Sequence, residues 1–460
     1  MGLLKQRILF GGLHLCGSGI PNKYNEIMKL SRMDSRKLQQ YQKEKIEANL
    51  IYAYYNVPYY HNLLSKAGVI TADGKILWQN YGNVPKLTKK LIRENYEEMK
   101  STELNIKGVY KNHSGGSTGE PIEILQDREY KEWNIANTLF IKTFGNYHMG
   151  DRELRLWGSE HDLMEGKEDF ALKIRNKVYG RKELNSFKMS KENMKCYVDT
   201  WNRYRPQWVE AYAQSIYEFA LFVRENSYKM YIPKGIVTSA GTLYPSMRKI
   251  IEEVFQCRVF NRYGSREVGG IACNCEKEED LHLSVWNHYV EILDETMQPV
   301  KNGQTGKVYV TTLNNKIMPL IRYEIGDIAR AIEWKTSPED YPMPLLSGLE
   351  GREMSVIRTK KGKIVPGEFF IHFIGVVYNL GFIEKFQVIQ HDYEHLEIKV
   401  QITDEKSFEK MKPEIERAIR LEMSDDVEII WRRTDNITNM PNGKYMYVYS
   451  KVMEEKVESV

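Results

Sequence analysis

The strand–helix–strand pattern of this chain is clearest in residues 235–264, GIVTSAGTLYPSMRKIIEEVFQCRVFNRYG. A short apolar run, GIVTS, precedes a segment with helical spacing, YPSMRKIIEEVFQ, and the apolar run CRVFNRYG follows it. The preceding residues repeat this order, with PQWVEAY before QSIYEFALFVREN. Two successive strand–helix units predict a parallel sheet with crossover helices, because parallel neighbours need a long connection.

Toward the C-terminus the pattern changes twice. YVEIL and KVYVTTL flank a turn with two glycines, which predicts an antiparallel pair. The last hundred residues combine the strand-like FQVIQ, LEIKVQIT and VEIIW with one helix, SFEKMKPEIERAIRLEM. The sequence therefore predicts an α/β protein in which a large N-terminal domain with parallel and mixed sheets, residues 1–352, precedes a small α+β C-terminal domain, residues 353–460.

Composition excludes several classes of protein. Of the 460 residues 42% are hydrophobic and 28% are charged, which argues against disorder, collagen and coiled coil. The net charge is only +4, so nucleic acid is not expected as a partner. Five mostly isolated cysteines favour a reducing cytoplasm over a disulfide framework.

Membrane and targeting signals are weak in the sequence. No apolar run reaches the roughly 18 residues of a spanning helix, so no transmembrane segment is expected. The first residues, MGLLKQRILFGGLHLCGSGI, combine basic and apolar side chains but lack a convincing cleavage site. We expect this stretch to be buried or packed on the surface of a soluble cytoplasmic protein.

The most informative motif is HSGGSTGEP at residues 113–121. Its glycines permit unusual backbone angles, and successive N–H groups can form an anion-binding nest to which Ser and Thr add hydroxyl donors. It is not a Walker A loop, because GxxxxGK[ST] is absent. By itself, the motif fits a phosphate-binding loop and an ordinary surface turn equally well.

A second motif, FNRYGSREVGG at residues 260–270, follows an apolar strand. Tyr263, Gly264 and Ser265 precede Glu267, so an aromatic ring and a carboxylate lie at the end of a strand, where open α/β sheets bind ligands. A carboxylate beside a phosphate loop is suited to Mg²⁺. The alternative is a strand end with a surface glutamate.

Three further motifs follow in the chain. In PLIRYEIGDIAR, Asp327 follows a glycine at the predicted end of a strand, where it could accept hydrogen bonds from ribose or simply cap a turn. Arg352 lies at the proposed domain boundary. Lys444 follows a Pro-Asn-Gly turn in MPNGKYMYVYSKV and would ordinarily be a solvated charge.

The order of these five motifs resembles the acyl-adenylate-forming superfamily of AMP-forming ligases. Within it, the sequence is most similar to the branch of phenylacetate–coenzyme A ligases and CapK proteins of capsular polysaccharide loci. The similarity is carried by VPYYHNLL with VPKLTKK, VTSAGTLYPSMRKIIEEVF, YGSREVGGIAC and GKYMYVYSKV. It extends from about residue 40 to residue 450 and implies the superfamily's fold and its use of ATP.

The resemblance also implies roles for individual residues. The nucleotide-binding set would be Ser114, Gly115, Gly116, Ser117, Thr118, Gly119, Tyr263, Gly264, Ser265, Asp327 and Arg352. Tyr263 would stack on adenine and Asp327 would bind ribose, while Ser114 to Gly119 would hold the β- and γ-phosphates and Arg352 would steady the nucleotide near the hinge. The catalytic set would be Lys444, which bridges the acid and the α-phosphate, Glu267, which binds magnesium, and Thr118.

Three positions depart from the family pattern. Glu120 replaces a frequent lysine beside the phosphate loop, Gly241 replaces a common acidic residue after the third sheet segment, and Ser355 replaces the acidic hinge residue. The last departure weakens the expectation of a domain rotation and of a coenzyme A-dependent second step.

Two sets of residues have both a functional and a purely structural interpretation. Cys257, Cys273, Cys275 and His282 could hold a structural zinc ion, but their spacing is unusual and buried thiols explain it better. The candidate walls of an acyl pocket are Trp208, Tyr212, Tyr217 and the stretch Trp157 to His161. Aromatic core packing would explain most of them equally well.

The sequence thus predicts a ligase that activates a carboxylic acid with Mg-ATP and passes the acyl group to coenzyme A or an amine, with a role in surface polysaccharide synthesis as one option. The alternatives are an adenylyl transferase that leaves AMP on its product and a non-catalytic nucleotide-binding protein of a polysaccharide locus. The expected cofactors are ATP and Mg, with coenzyme A and structural zinc as options. A homodimer is compatible with the sequence.

Overall fold

The computed structural model describes the chain except residues 1, 72, 104, 114–121, 158–175, 187–188, 190, 335–340, 350, 353–355, 361–363, 373, 375–381, 424–426, 438–445 and 453–460. The chain forms two compact units. The large unit comprises Met1–Leu243 and Met247–Leu349, and the small unit comprises Tyr244–Ser246 and Glu350–Val460. The domain limits proposed from the sequence, 1–352 and 353–460, stay a prediction.

Helices dominate the first hundred residues. They are α1 (Gly2–Leu15), α2 (Ile20–Leu30), α3 (Ser35–Asn56), α4 (Pro58–Lys66) and α5 (Lys89–Glu94). Residues 31–34 separate α2 from α3, and Val57 separates α3 from α4. Asp34 caps α3 by accepting a hydrogen bond from the Arg36 amide at 2.9 Å. Pro58, whose ring fixes its backbone, begins α4.

The centre of the large unit is an eight-stranded sheet with the strand order β13-β9-β8-β7-β6-β5-β3-β4. These strands are β3 (Glu153–Trp157), β4 (Arg181–Asn185), β5 (Trp208–Tyr212), β6 (Gly235–Ser239), β7 (Val259–Ser265), β8 (Gly269–Cys273), β9 (Leu281–Leu283) and β13 (Leu345–Leu346). The strands from β4 to β7 pair in parallel, as the strand–helix alternation predicts. Their nearly continuous burial in β5 and β6 is typical of a sheet covered on both faces.

Helices from the same part of the chain accompany this sheet. They are α6 (Arg128–Lys142), α7 (Lys191–Tyr204), α8 (Ala213–Glu225) and α9 (Pro245–Phe255). Two smaller antiparallel ladders belong to the large unit. One is β1 (Tyr110–His113) with β2 (Glu123–Gln126), and the other is β10 (His288–Leu293), β11 (Thr305–Thr312) and β12 (Tyr323–Arg330). The predicted antiparallel pair is β10 and β11.

The small unit contains a four-stranded sheet in the order β19-β18-β17-β20. The described elements of this end of the chain are β14 (Gly351–Arg352), β15 (Val356–Arg358), β16 (Ile364–Pro366), α10 (Gly367–His372), β17 (Ile383–Gln390), β18 (His395–Ile402), α11 (Glu405–Met423), β19 (Glu428–Arg433) and β20 (Val448–Ser450). The predicted α+β character of this region is confirmed. Across the described helices of the whole chain, none is both long and apolar enough to cross a membrane.

Candidate active site

Two of the predicted motifs meet through one hydrogen bond. The Tyr263 hydroxyl in β7 donates to Asp327 Oδ2 in β12 at 2.7 Å, across 64 positions of sequence. Both residues are buried, with 8% and 9% of their surfaces exposed. A carboxylate has about four acceptor sites, so Asp327 can accept more than one hydrogen bond.

Both interpretations of the sequence placed Asp327 at the end of a strand, either to bind ribose or to cap a turn. The structure does not place it there. It lies within β12, directly after Gly326, whose φ of +88° is in the left-handed region that glycine tolerates. The register of β11 and β12 shifts between Lys307 and Tyr309 in the partner strand. The placement of Asp327 thus depends on an irregular ladder that the sequence did not reveal.

The turn between β7 and β8 carries Glu267. Ser265 and Gly269 face each other across this hairpin, and a Cβ on Gly264 would lie 2.2 Å from the Gly269 carbonyl oxygen. Glycine is therefore required at position 264 for close backbone approach. Glu267 is 8% exposed, and its carboxylate has no hydrogen bond or ion pair with any described residue. Within the same limits the buried Ser265 hydroxyl also lacks a partner.

The β1–β2 hairpin connects the phosphate-loop motif to this turn. Asn112 donates to the Arg266 carbonyl at 2.8 Å, and Gln126 donates to the Glu267 carbonyl at 3.0 Å. The antiparallel pairing of His113 with Glu123 holds the two ends of the intervening segment next to each other. The proposed loop residues Ser114, Gly115, Gly116, Ser117, Thr118 and Gly119 lie in that segment, outside the described residues.

Polar side chains around the turn fix its backbone from two directions. From α6, Tyr130 donates to the Val268 carbonyl at 2.7 Å and Asn137 donates to the Gly270 carbonyl at 2.8 Å. From β10, His288 Nε2 donates to the same Val268 oxygen at 2.5 Å. Burial lowers the pKa of His288 to about 4, so the ring is neutral at pH 7.

The sequence did not single out the residues that support the turn. Asn112, Gln126, Tyr130, Asn137 and His288 are isolated polar residues without a spacing signal. Asp127 does carry a sequence signal, because an Asp before a helical segment is typical of an N-cap. It accepts a hydrogen bond from the Tyr130 amide at 2.8 Å and so begins the helix that presents Tyr130 and Asn137.

An aromatic pair lies at the carboxyl ends of two parallel strands. The rings of Trp157 in β3 and Tyr212 in β5 are 4.2 Å apart, and the Arg155 guanidinium lies 5.4 Å from the Trp157 ring. Two other candidate wall residues, Trp208 and Tyr217, are instead core residues. Trp208 packs with Phe260 at the opposite end of its strand, with ring centroids 5.5 Å apart.

Behind the aromatic pair lies a buried ionic network. Glu210 in β5 is fully buried and makes ion pairs with Lys142, Arg155 and Arg262 at 3.0, 3.0 and 2.7 Å. Lys142 also lies 2.6 Å from Glu153. Although burial raises the pKa of Glu210, the three cations hold it well below the usual range, so the carboxylate stays charged.

The position after β6 where the family often has an acidic residue lies beside Gln214. A Cβ on Gly241 would lie 2.0 Å from Gln214 Oε1, so a larger side chain would require the Gln214 side chain to move. Nothing in the structure explains the departure at position 241. The other two departures, Glu120 and Ser355, lie outside the described residues.

The zinc alternative finds no support in the described part of the chain, where no three His, Cys, Asp or Glu side chains form a group that could hold a metal ion. Cys273 and His282 face each other across β8 and β9, and Cys275 follows on the same chain segment. Burial raises the pKa of Cys273 and of Cys257 to about 12, which favours protonated thiols. These four residues, Cys257, Cys273, Cys275 and His282, fit packing roles.

The structure does not describe the side chains of two further predicted residues. Lys444 lies outside the described residues, and only the backbone of Arg352 is described, in β14. The described structure therefore brings together Tyr263, Gly264, Ser265, Glu267 and Asp327 in one region of the large unit.

Comparison with known proteins finds relatives along most of the chain. Residues 357–451 match the family model of the CapK C-terminal domain. The chain is 23% identical over 433 residues to Protein CapK of Staphylococcus aureus, covering 93% of this chain and 92% of that protein. It is 23% identical over 334 residues to a phenylacetate-coenzyme A ligase of Pseudomonas putida, covering 70% and 72%.

Among solved structures, the chain is similar to a 2-hydroxyisobutyryl-CoA ligase in complex with 2-HIB-AMP. The TM-score is 0.71 at 16% identity, with 93% of this chain and 94% of that chain covered, which establishes the fold. Together, the fold and the motif order define a member of the acyl-adenylate-forming superfamily, an ATP-dependent, AMP-forming, acid ligase-like enzyme. Within the superfamily, the chain is similar to the branch of phenylacetate–coenzyme A ligases and CapK proteins.

Proposed function

We propose that this protein activates a carboxylic acid with Mg-ATP and then transfers the acyl group to coenzyme A or to an amine. The observation that carries the proposal is the 2.7 Å hydrogen bond from Tyr263 to Asp327 beside the turn that bears Glu267. It joins an aromatic ring and two carboxylates from separate motifs in one buried region, as a nucleoside triphosphate site requires.

In the first step an oxygen of the acid attacks the α-phosphorus of ATP. The bond from that phosphorus to the bridging oxygen breaks, and pyrophosphate leaves. Both reactants are anionic, so catalysis depends on positioning and on positive charge. We assign ribose binding to Asp327, adenine stacking to Tyr263 and phosphate binding to Ser114–Gly119. The anchoring of the β1–β2 hairpin at Arg266 and Glu267 supports this assignment.

Glu267 is suited to hold magnesium. Its buried carboxylate has no cationic partner in the described part of the chain, and Mg²⁺ typically takes one or two carboxylates plus phosphate oxygens. When bound, the ion would neutralise phosphate charge. Lys444 would supply a second positive charge between the acid and the α-phosphate, a role that rests on the family resemblance.

The acid would bind at the carboxyl ends of β3 and β5. The ring pair of Trp157 and Tyr212, tilted by 42°, supplies an apolar surface there, which favours an aromatic or small aliphatic acid. In the second step the thiol or amine attacks the acyl carbon and AMP leaves. Related proteins named as coenzyme A ligases support coenzyme A as the acceptor, and an amine of a surface polysaccharide precursor is the alternative.

The test is pyrophosphate release with ATP, magnesium and hydroxylamine across a panel of aryl, fatty and amino acids. A hydroxamate formed from one class of acid would establish the adenylate and name the substrate class. Repeating the assay with coenzyme A and then with amines would identify the acceptor. A stable adenylylated product in mass spectra would instead favour an adenylyl transferase, and ATP binding without any turnover would favour the non-catalytic alternative.

Glu267→Gln provides the first variant for this assay. Removing the charge while keeping the shape should lower hydroxamate formation by about 10²-fold or more, because magnesium and its phosphates lose an anionic ligand. Glu276→Gln, at an exposed glutamate of the same region, is the matched control and should keep full activity. Equal rates for the two variants would mean that Glu267 is not part of the active site.

A further inference from the structure

The helix α1 leaves an apolar face uncovered. None of its fourteen residues is buried, and Leu3, Leu4, Ile8 and Leu15 are each at least 60% exposed. The described chain has eleven exposed large hydrophobic residues, and these four are among them. At 100° per residue, Leu4, Ile8, Gly11 and Leu15 fall within about 60° of the helix circumference. We call these four residues the α1 face.

The opposite side of α1 holds the helix against the large unit. Gln6 accepts a hydrogen bond from the Met149 amide at 3.0 Å, and the ring of Phe10 lies 5.2 Å from that of Tyr24. Leu9 packs at Gly150, where a Cβ would lie 3.0 Å from its side chain. Because this side of the helix is docked on the large unit, the α1 face points outward.

Charge on α1 has one sign. Lys5 lies on one side of the α1 face and Arg7 and His14 lie on the other, and the segment contains no Asp or Glu. The first acidic residue of the chain is Glu26. Neither Lys5 nor Arg7 has an ion-pair partner among the residues that the structure describes. An apolar face flanked by basic side chains is the pattern of a helix that lies in a membrane interface.

We propose that the α1 face docks the protein on an anionic phospholipid surface. The apolar side chains would enter the boundary between headgroups and acyl chains, and Lys5 and Arg7 would contact lipid phosphates. Fourteen residues span about 21 Å, shorter than the hydrocarbon core, so α1 would lie parallel to the surface. The proposal is independent of the ligase function proposed above.

Charge complementarity favours lipid over a second copy of the chain. Pairing two α1 faces would bring Lys5 and Arg7 of both chains together, and α1 offers no acidic side chain to balance them. Anionic headgroups supply that balance, and they also accommodate the apolar side chains, which a purely polar anionic partner would not.

Vesicle flotation with the full chain tests the proposal. We expect the protein to float with vesicles of phosphatidylcholine containing about 30% phosphatidylglycerol, and about fivefold less with pure phosphatidylcholine. Raising the salt concentration should lower binding, because the basic side chains are exposed and screened. If the protein stays unbound with both kinds of vesicle at low salt, the proposal is wrong.

Variants separate the α1 face from general surface hydrophobicity. Leu4→Ser with Ile8→Ser should reduce vesicle binding about tenfold, and Lys5→Ser with Arg7→Ser should remove the preference for anionic vesicles. The control is Ile232→Ser with Leu421→Ser, two exposed hydrophobic residues elsewhere, which should bind like the wild type. Thermal melting verifies that each variant is folded.

Two results would overturn the proposal. One is unchanged flotation of the Leu4→Ser, Ile8→Ser variant. The other is light scattering that shows a dimer in the wild type and a monomer in this variant, without vesicle binding, which would make a second copy the occupant of the α1 face.

Discussion

His288 is a buried neutral histidine whose only role in the structure described is to hold a backbone oxygen. Its pKa of about 4 lies below the ordinary 6.5, so the unfolded chain binds a proton first as the pH falls. The stabilising effect is therefore complete above pH 6.5 and is lost progressively toward pH 4. Between pH 7.5 and pH 5 the free energy of unfolding should fall by about 2 kcal/mol on this account.

Urea unfolding at both pH values, followed by tryptophan fluorescence, checks this expectation. His288→Gln keeps a donor for Val268 but cannot titrate, so its stability should depend less on pH by that amount. His14→Gln, at an exposed residue of α1, should behave like the wild type. Parallel curves for the wild type and His288→Gln would contradict the assignment.

At the residue scale, the sequence singled out side chains that carry their own chemistry, and their roles stay a prediction. Glu267 and Tyr263 were singled out because a carboxylate and an aromatic ring at a strand end have few purely structural explanations when other motifs accompany them. Gln126 and Asn137 were missed because an amide has no characteristic spacing. What gives them a role is the backbone carbonyl that lies within reach after folding.

Among the elements, β5 depends on the buried network around Glu210. Removing this one carboxylate with Glu210→Gln would leave Lys142, Arg155 and Arg262 with fewer anions in a region that water does not reach. Breaking a buried ion pair from one side typically costs about 3–5 kcal/mol, and we expect about 3 here because Arg155 is partly exposed.

Denaturant unfolding measures the effect on β5, with Glu183→Gln as the control. Glu183 lies opposite Arg155 on the neighbouring strand β4 but is exposed, so its loss should change stability by less than about 0.5 kcal/mol. Similar values for both variants would mean that burial does not govern the network.

The elements themselves were predictable where local periodicity was strong. The alternation from β5 through β7 and the pair of β10 and β11 appear where the apolar pattern indicates. Local periodicity does not show where α2, α3 and α4 are divided, because the N-cap at Asp34 and the proline at position 58 set those limits.

For the whole molecule, the family resemblance implies that the two half-reactions use different residues. Lys444→Ala should abolish acid-dependent pyrophosphate release, because the positive charge between two anions is lost, whereas nucleotide binding persists. Transfer from a chemically prepared acyl-adenylate to the acceptor should stay within about threefold of wild type. The control for both assays is Lys451→Ala, at the lysine that directly follows β20 in sequence. Full adenylation by Lys444→Ala would contradict the proposed catalytic role.

The sequence by itself determined the alternation of strands and helices and the class of the fold, because these depend on neighbours within a few residues. Only the tertiary structure decided that Tyr263 donates to Asp327 from another sheet, that Trp208 is core and that α1 exposes its apolar side. Such contacts depend on which faces pack together over long separations, and local periodicity carries no information about that choice.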